Sequence, residues 1–267
     1  MNSGAAVPKP LSSRSLDIRV SNIRSEELSE IDIMSQHFRF FDLPFELRYK
    51  ILGYVLVSNQ VIDLDPIFFY PARERLFLFL VSKGFHSDAS YVFYSSHTFR
   101  IFPTNGRFFG NKTRPLLARL PSHYQRSLVS LELRLGPGWT CPPGSWRVND
   151  ALGLENMVAV RFLKVFVEVD PSHDFFRGFR VGKDFYTRFS TDLLEQIIER
   201  LPALERVELD GWSSVMREGP LMRRLVGVAR ASGKTVMELD AQRVSESEKS
   251  QDLMLLAQRL AVRKRIA

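Results

Sequence analysis

Apolar residues first take up a helical rhythm at Phe38. In the run FRFFDLPFELRYKILGYVL, Leu47, Ile51 and Val55 recur at spacings of four, which places them on one face of a helix. Pro44 suits the first helical position, where its missing N–H is not needed, and Glu46 falls in the first turn, against the positive helix end. Residues 61–70 alternate weakly around Pro66 and read as a short strand or an extended connection. After Pro71 the period is helical again, with Leu78, Val81, Phe85, Ala89 and Val92 on one stripe, and a short strand follows from Thr98 to Phe102.

From about residue 115 helical segments alternate with short apolar runs. The predicted strands are Leu128 to Leu135, Phe162 to Val169, Leu204 to Leu209 and Thr235 to Leu239. Between the second and third lies a helix that Thr191 can cap, with Asp192 in its first turn and Leu194, Ile197, Ile198 and Leu201 as its stripe, ended by Pro202. Another helix runs from Pro220 to about Ala231 and stops at Gly233, and a last one spans about Gln251 to Arg263. Strands separated by helices imply parallel pairing and an α/β fold.

Three of the strands share the spacing apolar-x-x-apolar-x-apolar: Leu128, Leu131, Leu133; Phe162, Val165, Val167; and Leu204, Val207, Leu209. This resembles the strand signature of leucine-rich repeats, with irregular steps of 34, 42 and 29 residues between Leu131, Val165, Val207 and Val236.

At its N-terminal end the chain resembles a divergent F-box of the kind common in uncharacterised fungal proteins. Leu43, Pro44, Glu46, Leu47 and Ile51 match its leucine-proline, acid and helix opening. Leu80, Val81, Ser82, Ala89, Phe93, Tyr94, Thr98 and Phe99, in FLFLVSKGFHSDASYVFYSSHTFRIF, match its continuation. The resemblance covers residues 38–102 and implies an adaptor, in which Leu43, Pro44, Glu46, Leu47, Ile51, Leu80 and Val81 face a Skp-type subunit of a cullin ubiquitin ligase. The C-terminal domain would hold an unknown protein substrate. One departure stands out: about twenty residues, Leu56 to Leu76, separate the two helices where typical F-boxes turn quickly. The expected organisation is a disordered tail at 1–37, the F-box-like module at 38–102, a leucine-rich-repeat-like α/β domain at 103–242 and a C-terminal helix at 243–267.

Composition changes this picture little. A 45% hydrophobic and 25% charged share is that of a globular chain. One cysteine, Cys141, cannot close an intramolecular disulfide, which fits a cytoplasmic or nuclear protein. No run approaches the roughly 20 apolar residues of a spanning helix, so no membrane partner is expected. Lys9, Arg14, Arg19 and Arg24 against Asp17 raise a mitochondrial leader, but Pro8, Pro10, Glu26, Glu27 and Glu30 favour the flexible tail. The net charge of +7 includes seven basic residues against Glu132 alone between Arg100 and Arg134, and four without an acid in the last thirteen residues. Such stretches would suit phosphate or an acidic surface, though a solvated face is the simpler reading. A basic nucleic-acid-binding protein and a scaffold outside any ligase are therefore the alternatives to the adaptor.

Candidate chemistry is sparse. The Gly233-Lys234-Thr235 triplet lacks the earlier glycine of a phosphate loop, since Val228 stands there. His37, His86, His97, His123 and His173 have neither HExxH spacing nor cysteine company. Glu195 and Glu199 share a helical face but fall opposite the leucines, on the solvated side. Cys141 lies in GPGWTCPPGSW with no evident base, and Trp139 and Trp146 on that loop are candidate contact or core-capping residues. The expectation is therefore no enzyme, no cofactor, no metal and no catalytic residue.

Overall fold

The computed structural model describes residues 38–64, 75–104, 116–140, 142–172, 176–177, 180 and 182–238. The expected N-terminal tail, Cys141 and the expected helix from Gln251 lie outside them. The chain divides into two compact units, Met1–Arg48 and Tyr49–Ala267, each described by itself.

In the first unit a 3-10 turn, Phe40–Asp42, sets the rings of Phe40 and Phe41 edge to face at 5.5 Å. The carbonyl of Pro44 accepts the N–H groups of Leu47 and Arg48, so Pro44 sits at the helix entry, one residue outside the expected position. Arg48 donates to the Leu43 carbonyl at 2.8 Å and lies over the Phe41 ring. Helix α1, Phe45–Leu56, begins in this unit and continues into the second, to which its buried residues Leu52 and Leu56 belong.

In the second unit the connection after α1 explains the long separation of the two helical segments. Ile62 forms a parallel bridge to Phe99, exchanging backbone hydrogen bonds with Thr98 and Arg100, so this stretch extends the edge of the sheet. The single helix expected after Pro71 is two pieces. A 3-10 turn, Arg75–Leu80, stops short of Ser82, whose hydroxyl accepts the Phe85 N–H at 3.3 Å and starts α2, Lys83–Ser96. Ala89 and Val92 go into the core as expected, whereas Val81 is left in the break and 60% exposed. His97 ends α2 with 2% exposure; Nε2 accepts the Ser58 N–H at 3.1 Å and Nδ1 lies 2.9 Å from the Phe93 carbonyl oxygen. A neutral ring protonated on Nδ1 satisfies both contacts.

Five strands follow: β1 Thr98–Arg100, β2 Ser130–Leu135, β3 Phe162–Val167, β4 Arg206–Gly211 and β5 Thr235–Glu238. They form one sheet in chain order, every neighbour pair parallel. Between β1 and β2 stand a turn, Leu116–Arg119, and the short helix α3, Ser122–Gln125. Turns Asp150–Leu152 and Leu154–Asn156 precede β3, and the long helices α4, Phe185–Arg200, and α5, Pro220–Ala231, flank β4. This mixed architecture and its parallel sheet agree with the α/β expectation.

The register corrects one detail of the strand motif. Leu131 pairs with Leu163 and Leu133 with Val165, so the second strand's frame is Val160, Leu163, Val165 in place of Phe162, Val165, Val167. Phe99, Leu131, Leu163, Val207 and Val236 form one row, and its first two steps are both 32 residues. Leu128, Val160 and Leu204, three residues ahead of that row, are likewise buried. Together with Leu194, Ile197, Leu221 and Leu225 from the helices they make one core cluster.

Helix α4 begins one and a half turns before Thr191, so Thr191 does not cap it. Its hydroxyl donates to the Thr187 and Arg188 carbonyls inside the helix. Tyr186 extends the buried stripe beyond the leucines, and burying that ring accounts for the longer helix. Helix α5 has the expected bounds and is followed by Gly233 at φ +70°, a left-handed helix end before a strand.

Candidate partner-binding surfaces

Leu43, Pro44, Glu46 and Leu47 belong to the first unit. Pro44 and Glu46 are exposed, Leu43 is half-buried, and Leu47 is 48% exposed. Within α1, Leu47, Ile51 and Val55 recur every turn and all lie open to solvent, while Leu52 and Leu56 point inward. The stripe read from the sequence is therefore real, but it is the outer one. In the second unit Tyr49 stacks on Tyr91 of α2 at 5.3 Å, and Ile51 and Tyr54 remain exposed. Leu80 is 79% exposed where the chain breaks before Ser82, beside Val81.

Among the described residues fifteen large apolar side chains are exposed, and eleven of them lie between Phe38 and Tyr91. Single exposed leucines mean little; docking uses a contiguous apolar patch, for which Ile51, Tyr54, Val55, Leu80 and Val81 are the second unit's candidates. Burying such side chains gains roughly 25 cal/mol per Å² removed from water.

A second surface lies on the sheet face away from the apolar row. Sequence reading missed it, although its signal stands between the apolar positions of each strand. Register puts Arg100, Glu132, Lys164 and Glu208 side by side across four strands, alternating in sign. Arg100 is buried, donating to Glu132 at 3.0 Å, to Asp63 at 3.0 Å and to Thr104 at 3.1 Å. Further along, Arg134 pairs with Glu168, Lys164 reaches Asp210 at 3.6 Å, and Arg206 lies over the Phe162 ring. Phe162 and Lys164 are half-buried, so this end of the face is open to a partner.

The basic run from Arg100 to Arg134 therefore differs from a solvated face at both ends. Arg100 is buried and Arg134 half-buried, and both are already matched by carboxylates, which leaves neither available to phosphate. Arg107, Lys112 and Arg114 lie outside the described residues.

At the C-terminal ends of β3 and β4 a cleft of about 390 Å³ is lined by Glu168, Asp170, Phe176 and Ser214. Both carboxylates are engaged: Glu168 holds Arg134, and Asp170 accepts the N–H and hydroxyl of Ser172 at 2.9 and 2.6 Å. Nearby, the hydroxyl of Tyr186 accepts the Gly136 N–H, and burial pushes its ionisation well above the ordinary tyrosine range. Gly136 is required there: at φ +132° a Cβ would stand 2.5 Å from that of Glu168.

Trp146 is 3% exposed and stacked on Phe102 at 5.4 Å, and Trp139 packs against the core, so Trp146 serves the interior. Glu195 and Glu199 are exposed, as expected. His86 meets the Tyr124 hydroxyl at 2.7 Å and joins α2 to α3. Among the described residues no three His, Cys, Asp or Glu side chains could hold a metal ion, and no helix is long and apolar enough to cross a membrane. Comparison with protein-family models, with curated proteins and with solved structures finds no match for this chain.

Proposed function

We propose that the chain is a protein-interaction adaptor: an F-box-like segment, residues 38–102, docks on a Skp-type subunit of a cullin ubiquitin ligase, and the parallel sheet holds a protein substrate. The observation that carries this reading is the outward apolar stripe of α1, Leu47, Ile51 and Val55, in a segment that also leaves Leu80 and Val81 uncovered. A helix whose apolar residues only packed its own core would turn them inward. The strand order supports a leucine-rich-repeat-like architecture for the remainder, since stacked repeats place successive strands side by side in chain order. The open end of the charged face, around Phe162 and Lys164, is the assigned substrate surface.

A scaffold that never joins a ligase is the second reading. It draws on Ile62, which ties the stretch between the two helices to the sheet where an F-box would turn quickly. Binding of purified Skp to the full chain separates the two. Leu80→Glu with Val81→Glu changes only exposed side chains, so the variant is expected to melt within about 0.5 kcal/mol of the parent. On the adaptor reading it loses Skp binding at least tenfold, a hot-spot-sized effect. Absence of Skp binding by the parent chain leaves the scaffold.

A further inference from the structure

On the helical side of the sheet, α4 and α5 enclose an open groove of about 930 Å³. Glu195 and Glu199, one helical turn apart, stand on the α4 wall; Arg223 and Arg224 of α5, with Lys234 just beyond it, stand on the other. Among the described residues these five side chains make no ion pair and no hydrogen bond, whereas Arg200, Arg206 and Arg230 of the same region are each matched by a carboxylate. Between the walls the groove is apolar at Ile198 and Val228. Gly227 leaves open space there, with nothing within 4 Å of a Cβ, although glycine is a poor choice inside a helix.

We propose that this groove is the docking site of the chain's own C-terminal segment, residues 251–265. Leu253, Leu256, Ala257 and Leu260 repeat at helical spacing and suit the apolar floor. Arg259 and Arg263 stand four apart, as Glu195 and Glu199 do, so both pairs repeat at about 6 Å along a helix and can meet pair to pair. Glu246 and Glu248 precede them and supply acids for the Arg223, Arg224 and Lys234 wall.

Reach is not limiting. Strand β5 ends at Glu238, four residues beyond Lys234, and the intervening residues 239–250 span up to about 40 Å when extended, against about 18 Å for the length of α5. The consequence is competitive: a foreign peptide must displace a tethered occupant whose effective concentration is on the order of millimolar. This inference stands apart from the adaptor reading, since it concerns the opposite side of the sheet from the assigned substrate surface.

Amide hydrogen exchange of the full chain tests it. Residues 251–265 are expected to be protected, and Arg259→Glu with Arg263→Glu, which alters no residue of the described fold, should cut that protection about tenfold. Adding Glu195→Arg and Glu199→Arg to that variant should restore it, with exchange in β2 and β3 reporting that the fold is intact. Free-chain exchange of 251–265 in the parent protein would overturn the proposal. So would protection indifferent to the tail substitutions, or a charge swap that restores nothing in an intact sheet.

Discussion

Tyr94 sits on the inner side of α2, stacked on Tyr124 at 4.5 Å and on Phe99 at 5.5 Å. Burial, and then the neighbouring Tyr124, push its ionisation up to about 12. An unfolded tyrosine ionises near pH 10, so the folded state holds this proton more tightly than the unfolded state does. The resulting stability is present in full below pH 10 and is lost as the pH rises through 12, a decline of roughly 2 kcal/mol. Urea midpoints taken from pH 9 to 12 should therefore fall steeply for the parent and less steeply for Tyr94→Phe, which keeps only the similar contribution of buried Tyr186. Parallel curves for the two proteins would remove Tyr94 from the account. At this scale the sequence is least informative. Arg100 counts there as one more cation, and its partners Asp63 and Glu132 lie 37 and 32 residues away. Nothing local marks it as a buried ion pair.

Ser82 decides how the second helical segment is built. A continuous helix through Leu78, Val81 and Phe85 would satisfy the apolar period, but the Ser82 hydroxyl offers the Phe85 N–H an alternative partner and the chain breaks there. Ser82→Ala removes the cap and should cost about 1 kcal/mol in chemical denaturation, with helicity lost from the first turn of α2. A change below about 0.2 kcal/mol would mean that packing of Phe93 and Val92 alone holds the break. Elements with both a period and a stop were legible in advance: α5 between Pro220 and Gly233, and all five strands. Boundaries set by tertiary burial were not, and α4 runs past Thr191 because the Tyr186 ring is buried. The candidate docking stripe was half legible. The spacing of Leu47, Ile51 and Val55 gives a face of α1, but only packing through Leu52 and Leu56 shows that this face is the outer one.

In the second unit the sheet grows strand by strand in chain order, so each strand leans mainly on its sequence neighbours. Stability in such an arrangement is approximately a sum of local terms and nearest-neighbour interfaces, and it need not be uniform. β3 lies between β2 and β4, pairs along six residues on each side and buries Leu163, Val165 and Val167. β5 has four residues and one neighbouring strand, and only Val236 is partly covered. Amides of Thr235–Glu238 should therefore exchange at least about a hundredfold faster than those of β3, the difference between local fraying and global opening. Val236→Ala should speed exchange in β5 alone. Leu133→Ala, in the middle of the core, should cost about 2–5 kcal/mol and speed exchange throughout β1 to β4. Uniform exchange across all five strands, with both substitutions felt everywhere, would instead mean that the sheet opens as one cooperative unit and that its edge is held as firmly as its centre.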